Sequence, residues 1–309
     1  MRKIVQSVLG GPEALELAEA PDPAPGEGET LVAVAAAGIN PVDVAFRSGA
    51  FPMLPELPFT LGWDIAGTVV SSGPGAGRFA PGTRVFGMPR FPKEAGGYAS
   101  MIAAPEAELA ATPGAWSDAQ AAAVPLAGLT AWQGLVVAGG IAEGQSVLIT
   151  AAAGGVGHLA VQIAAALGAT VTASASAGKH AALKGWGAAE TLDYAAEAPE
   201  AKGARFDLVF DAFGGETSQR LLPALKPGGT LVCLRDPSAA AREAAEAGGK
   251  TIRRIGVRPN GPQLEELAKL GAAGRLTPQV ARTFPLAEAG AAQAFLAEAK
   301  PVGKVVLIP

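Results

Sequence analysis

The sequence predicts an α/β protein in two parts, a β-rich region followed by a doubly wound parallel sheet. Three observations carry that expectation. Short apolar runs are punctuated by Pro and Gly up to about Ala115; beyond it, apolar strands alternate with helical stretches; and a glycine-rich turn joins one such strand to one such helix. A chain of 309 residues is long enough for two cores, with boundaries expected near residues 118 and 258.

From Glu29 to Ala115, "TLVAVAAAGI", "IAGTVVSS", "TRVFGM" and "YASMIAA" read as strands, separated by "PDPAPGEGE", "GPGAG" and "APG". That spacing suggests a mostly antiparallel domain. Ser117 can then cap a helix whose first turn carries Asp118. "SVLIT", "TVTAS", "FDLVFDA" and "TLVCL" follow as strands separated by helical or irregular segments, the pattern of a parallel sheet with right-handed crossovers. "QLEELAKLGAAG" and "AEAGAAQAFLAEA" read as helices, and the closing "GKVVLIP" as a strand able to return to the first domain.

Composition narrows the function classes. The 24 basic and 28 acidic residues form no block of like charge, so neither nucleic acid nor an anionic membrane surface is an expected partner. One cysteine, Cys233, lies in the apolar run "GGTLVCL", and two histidines complete a poor metal-ligand inventory; no metal site is expected. No Asp, Glu, Lys or Arg occurs between Asp118 and Glu143, or between Glu143 and Lys179. Glycines and Pro125 interrupt those stretches, so buried elements of an α/β core explain them better than membrane spans. The N-terminal apolar run is brief and broken by Pro12 and Glu13, which argues against a signal peptide and makes the cytoplasm the expected compartment.

The turn is "SVLIT" followed by Ala152-Ala153-Gly154-Gly155-Val156-Gly157. Beyond it Val156, Leu159, Ala160, Ile163, Ala164 and Leu167 share one helical face, and the helix ends at Gly168. Against the G-x-G-x-x-G fingerprint the chain has Ala152, Gly154 and Gly157. Gly154 lets backbone approach a pyrophosphate, Gly157 permits close helix–strand packing, and the helix N-terminus offers unpaired N–H groups. Dinucleotide binding is the expectation; an ordinary tight turn or a methyltransferase loop is the alternative.

The end of the next strand discriminates between dinucleotides. An NAD site wants Asp or Glu about 20 residues past the glycines. Here Ser174, Ser176 and Lys179 appear instead, with no carboxylate until Glu190. Hydroxyls and an ammonium attract a 2′-phosphate that a carboxylate would repel, which favours NADP(H). A solvated lysine at a helix start is the plain alternative for Lys179.

The stretches "AAAGINPVDVAFRSGAF", "PFTLGWDIAGTVVSSGPGAGRFAPGTRVFGM", "GGYAS", "VPLAGLTAWQGL", "AAAGGVGHLAVQIAAALGA", "DAFGG", "LKPGGTLV" and "GKVVLIP" run through nearly the whole chain. In that order they resemble the medium-chain dehydrogenase/reductase superfamily, in its zinc-independent quinone oxidoreductase branch. The resemblance implies a GroES-like β-rich catalytic domain over 1–117 completed by 259–309, and a Rossmann NADP(H)-binding domain over 118–258. It implies a cofactor cleft between them, and a homodimer paired through an edge strand for which "GGTLVCL" is the candidate.

By the same resemblance Ala153, Gly154, Gly155, Val156 and Gly157 hold the pyrophosphate and Phe213 of "DAFGG" lies at the cofactor. Asn40 and Thr130 lie near the nicotinamide, Tyr194 near the adenosine end, and Lys304 at the cleft. Each has a plain alternative: a turn residue at Asn40, a backbone-bonded helix hydroxyl at Thr130, surface packing at Tyr194, a strand-edge charge at Lys304. Asn40, Asp43, Arg47 and Phe51 are the candidates for a substrate pocket, with Asp43 and Arg47 spaced to form an i,i+4 ion pair.

Where zinc-dependent relatives place a cysteine ligand, this chain reads Gly38-Ile39-Asn40-Pro41-Val42-Asp43; where they place Gly-His-Glu, it has Gly62-Trp63-Asp64. A zinc alkoxide is therefore not expected. Enoyl reductases of this superfamily carry a tyrosine after the "R-x-G" segment, where this chain has Phe51, which donates no proton. The expected activity is hydride transfer from NADPH to a quinone or an α,β-unsaturated carbonyl. An enoyl-thioester reductase, a non-catalytic NADPH-binding sensor and a methyltransferase are the alternatives.

Overall fold

The computed structural model describes residues 1–51, 53 and 56–309. Two compact units emerge: Met1–Leu129 with Arg258–Pro309, and Thr130–Val257. The sequence expectation placed Asp118–Leu129 with the second domain. The contacts place it with the first, because the helix at Asp118–Ala122 packs on strands of the first unit's sheet.

The chain opens with a hairpin of β1 (Arg2–Gln6) and β2 (Leu15–Glu19). It continues through β3 (Glu29–Ile39), α1 (Pro41–Ser48), β4 (Asp64–Ser72), β5 (Arg84–Gly87), β6 (Met101–Pro105) and β7 (Leu109–Ala111), then α2 (Asp118–Ala122) and α3 (Pro125–Trp132). Each sequence-read strand of this region has its counterpart; β1, β2 and β7 are additional. Ser117 caps α2, its side chain accepting from the Gln120 N–H at 3.2 Å. β3 organises the sheet: it pairs antiparallel with β4 along its length and with β6 along its first half. Ile4, Val32, Ile65, Val85, Phe86 and Ile102 are fully or almost fully buried here.

The second unit carries β8 (Ser146–Ile149), α4 (Gly157–Ala166), β9 (Thr170–Ala175), α5 (His180–Gly185), β10 (Glu190–Asp193) and β11 (Phe206–Asp211). α6 (Gly215–Leu221), β12 (Leu225–Cys233), α7 (Ala239–Ala247) and β13 (Thr251–Arg254) complete it. Its six strands are parallel in the order β10-β9-β8-β11-β12-β13. The chain winds outward from β8 to β10, then restarts on the other side of β8 at β11, which makes the β8/β11 boundary a topological switch point. Leu148, Leu192, Val209, Leu231 and the thiol of Cys233 form one buried cluster. β12, which carries "GGTLVCL", lies between β11 and β13. β13, whose polar sequence TIRR gave no strand signal, is the edge strand on that side of the sheet, and β10 is the edge on the other. α4 is buried on more than the one expected face, since His158, Val161 and Gln162 are buried as well.

The chain then adds α8 (Gly261–Ala272), β14 (Val280–Pro285), α9 (Ala289–Ala299) and β15 (Lys304–Ile308) to the first unit. β15 returns to β3, with Val305 opposite Ile39 and Leu307 opposite Ala37. No helix among the described residues is long and apolar enough to cross a membrane.

Candidate functional site

The predicted nucleotide contacts sit on consecutive loops at the carboxyl edge of the parallel sheet. Tyr194 follows β10, Ser176 and Lys179 follow β9, the glycine turn follows β8, and Phe213 follows β11. Neighbouring parallel strands all end on one side, so four distant sequence segments become a row. Ser174 is buried at the end of β9, its carbonyl accepting from the Ala152 N–H at 3.0 Å. Ser176 precedes the short helical turn Ala177–Lys179. Tyr194 and Phe213 are 65% and 56% exposed, large rings left at the surface. Thr130 is buried in α3.

The two key glycines differ physically. A Cβ on Gly157 would lie 2.3 Å from the Ala151 carbonyl oxygen and 2.7 Å from the Ala152 Cα, so helix–strand packing excludes any side chain there. A Cβ on Gly154 would meet only that same carbonyl, at 3.2 Å. Packing therefore demands glycine at 157 and only mildly resists a methyl at 154, where a bare backbone leaves space for a ligand to approach. That arrangement fits a bound pyrophosphate at Ala153–Gly157. His158 braces the turn, with Nδ1 3.0 Å from the Gly154 carbonyl.

Two residues with no role in the sequence reading fix the switch point. Thr150 Oγ1 accepts from the Ala212 N–H at 2.9 Å, tying β8 to the loop after β11. Asp211 accepts from the N–H groups of Phe213 (2.9 Å) and Gly214 (3.2 Å) and from the Ser218 hydroxyl (2.7 Å). The signal was present in "DAFGG", an Asp placed to fold its own backbone into a turn. Burial pushes the Asp211 carboxyl above its ordinary range and the Cys233 thiol up to about 11. The first acid after β9, Glu190, is engaged by Arg205 at 2.5 Å and by the Thr172 hydroxyl at 3.4 Å.

The first unit holds a second polar constellation where β3, α1, β4 and β15 meet. Lys304 Nζ donates to the Ile39 carbonyl (2.8 Å), to Asn40 Oδ1 and to Asp64 Oδ2 (3.1 Å), which uses all three of its N–H bonds. It is 3% exposed, a buried ion-pair member rather than a charge on a strand edge. Asp64 also accepts from Asn40 Nδ2 (2.9 Å) and, through Oδ1, from the Leu126 N–H (2.7 Å). Asn40 is thereby locked at both ends of its amide.

Asp43 and Arg47 form no ion pair, contrary to their spacing. The Asp43 carboxyl turns inward, where Oδ2 accepts from the Tyr98 hydroxyl (2.6 Å) and the Asn40 N–H (2.8 Å). Arg47 extends toward α9, donating to Gln293 Oε1 (2.7 Å) and the Gly10 carbonyl (2.9 Å). Tyr98 fits only because Gly62, at φ +97°, has no Cβ; one there would lie 2.3 Å from the tyrosine ring. Burial and the nearby Asp64 charge push Asp43 up to about 7, against the Tyr98 and Asn40 hydrogen bonds and Lys304. Burial and Asp43 raise Tyr98 well above its ordinary value. Phe51 stacks on Phe46 at 4.2 Å between ring centroids, and Phe46 meets Trp63 edge-on at 4.7 Å.

Comparison with known proteins places this chain. Residues 26–115 match the alcohol dehydrogenase GroES-like domain, and residues 186–307 match the zinc-binding dehydrogenase family. A 2-methylene-furan-3-one reductase from Solanum lycopersicum is 34% identical over 92% of this chain and 72% of its own length. The quinone oxidoreductase of Coxiella burnetii superposes with a TM-score of 0.92 at 32% identity, covering 100% of this chain and 99% of that one. The NADPH complex of Escherichia coli quinone oxidoreductase does so at 0.89 and 30%, covering all of both chains. Identity reaches 40% over 91% of this chain with a spectinabilin polyketide synthase protein, NorB, of Streptomyces orinoci, of which the match spans only 13%. The chain belongs to the medium-chain dehydrogenase/reductase superfamily of oxidoreductases, in its quinone-oxidoreductase-like branch, with the GroES-like and Rossmann architecture of that family. Zinc appears in one family description, yet no group of three or more His, Cys, Asp or Glu among the described residues could hold a metal ion.

Proposed function

We propose that this protein is a zinc-independent, NADPH-dependent reductase that transfers hydride to a quinone or to the β-carbon of an α,β-unsaturated carbonyl. The observation that carries the reading is the row of loops on the parallel sheet's carboxyl edge. In it the glycine turn stands beside Ser176 and Lys179, and the first acid after β9 is already committed to Arg205. Ala153–Gly157 hold the pyrophosphate, Ser174, Ser176 and Lys179 receive the 2′-phosphate, and Tyr194 and Phe213 flank the cofactor. Asn40 and Thr130 are the candidate contacts for the nicotinamide end, and Lys304 holds the Asn40 amide in one orientation. The bound dihydronicotinamide supplies the hydride, and the protein's part is orientation, exclusion of water and hydrogen bonding to the developing oxygen charge.

The likeness to segments of polyketide synthases favours a second reading, an enoyl-thioester reductase of the same superfamily. Phe51 weighs against it, since it brings no proton and is stacked on Phe46. The cytoplasm and a homodimer belong to the same proposal; β13, the edge strand beside β12, replaces β12 as the candidate pairing strand of such a dimer.

An acceptor panel tests the reading. After dialysis against a metal chelator, NADPH oxidation is followed with 1,2-naphthoquinone, simple enones and an enoyl thioester. Undiminished turnover of the quinone or the enones is expected. Preference for the thioester would select the second reading, and tight NADPH binding without turnover of any acceptor would reduce the protein to a sensor.

A further inference from the structure

The glycine turn is held in a shape that its own residues do not favour. Ala151, at φ +46°, sits in the left-handed region that disfavours any residue with a Cβ. Its carbonyl accepts from the Gly154 N–H at 2.9 Å, which curls the chain back before α4 begins. The next peptide, Gly154–Gly155, is trans, so the Gly154 carbonyl and the Gly155 N–H point in opposite directions. Whatever fixes the first aims the second. Neither glycine has a side chain to do it.

His158 does. The Gly154 carbonyl accepts twice from this one residue, from its main-chain N–H at 3.1 Å and from the ring Nδ1 at 3.0 Å. Any residue at 158 except proline makes the first bond; the second needs a donor at that point of the side chain. Because a carbonyl oxygen only accepts, Nδ1 carries the hydrogen. The ring is itself fixed, being fully buried and 5.5 Å from the Trp186 ring at a tilt of 56°. Trp186 ends α5, whose first residue follows Lys179, so the contact ties the glycine turn to the helix behind the predicted 2′-phosphate residues. In front of the brace, the N–H groups of Gly155, Val156 and Gly157 donate to no acceptor among the described residues. All of these residues belong to the second unit.

We propose that His158 is a positioning residue for the cofactor: its ring N–H holds the Gly154–Gly155 peptide so that the Gly155 N–H faces the pyrophosphate. The assignment rests on the dinucleotide reading of the turn and deepens it, adding a buried side chain to a loop otherwise read through its glycines. His158 acts through the backbone and touches no phosphate. Its effect is therefore selective by ligand chemistry. A ligand with a pyrophosphate loses affinity when the brace is removed, and one carrying only the 2′-phosphate does not.

Calorimetric titration with NADPH and with adenosine 2′-phosphate, which has no pyrophosphate, tests this on the wild type and two variants. His158→Phe keeps a ring against Trp186 and loses the donor. His158→Asn loses the ring but places an amide nitrogen where Nδ1 stood. His158→Phe should bind NADPH roughly fivefold to tenfold more weakly and adenosine 2′-phosphate as the wild type does. His158→Asn should regain most of the NADPH affinity although it packs less well. Where the phenylalanine ring prevents folding, His158→Leu serves in its place. Undiminished NADPH affinity in the folded donor-free variant, equal losses for both ligands, or an asparagine variant no better than the donor-free one would each overturn the assignment. A wild-type protein that does not bind NADPH would overturn the dinucleotide reading itself, and the role of His158 with it.

Discussion

Gly154 and Gly157 stand three residues apart and do different work, which a pair of methyl substitutions separates. Gly157→Ala pushes a Cβ to 2.3 Å from the Ala151 carbonyl, so it should cost stability, about 1–3 kcal/mol by thermal or denaturant unfolding. Gly154→Ala meets one oxygen at 3.2 Å and should leave the unfolding midpoint nearly unchanged while weakening NADPH binding by roughly tenfold in calorimetry. Equal stability losses with unchanged affinity would remove Gly154 from the cofactor site. Asp43 makes a separate prediction about stability. Its carboxyl is raised from 3.8 to about 7 in the folded state, so between those values the folded chain holds a proton that the unfolded chain has lost. Stability should therefore fall as pH rises through that window, by a few kcal/mol relative to Asp43→Asn. A flat difference between the two proteins from pH 4 to pH 8 would contradict the raised value.

At this scale the glycine turn was legible, because its chemistry is written in six consecutive residues. The constellation around Asn40 was not. Tyr98 is 55 residues from Asp43 and Lys304 is 240 from Asp64, and local spacing instead suggested an Asp43–Arg47 pair. Burial decided otherwise, since an inward carboxyl meets Tyr98 whereas Arg47 reaches Gln293 across 246 residues.

Among the elements, apolar strands announced themselves and polar ones did not. β3, β4, β8, β9, β11 and β12 follow from runs of branched and small apolar residues. β7 (LAA), β10 (ETLD), β13 (TIRR) and β14 (VARTFP) are short or charged, and only their pairing partners make them strands. Missing β13 is what made β12 look like an edge. The observed edge has its own consequence, because Arg253 and Arg254 are exposed on it, the latter paired with Asp236 at 3.4 Å. Two copies joined antiparallel along β13 bring these arginines close together, and like charges there oppose pairing. Sedimentation should show the dimer fraction rising as salt screens them. A dimer that dissociates with added salt would point to a different surface.

For the whole molecule, each of the two units carries half of the account. One supplies the row of loops proposed to hold a dinucleotide; the other supplies a buried polar cluster whose Asp43 carboxyl is pushed up to about 7. What the sequence conveyed at this scale was the order of strand-rich and alternating regions. What it withheld was the extent of the first unit, because α2 and its neighbours look helical in the text and reveal their loyalty to β3 and β4 only by packing. The central claim, a reductase that reads the 2′-phosphate through Lys179 and its neighbours, is tested most directly by steady-state enone or quinone reduction with NADPH and NADH side by side. The account predicts a kcat/KM at least roughly tenfold higher with NADPH, and a Lys179→Ala variant in which NADPH alone loses about 1–2 kcal/mol of that preference. Equal efficiency with both cofactors, or equal losses in the variant, would contradict it.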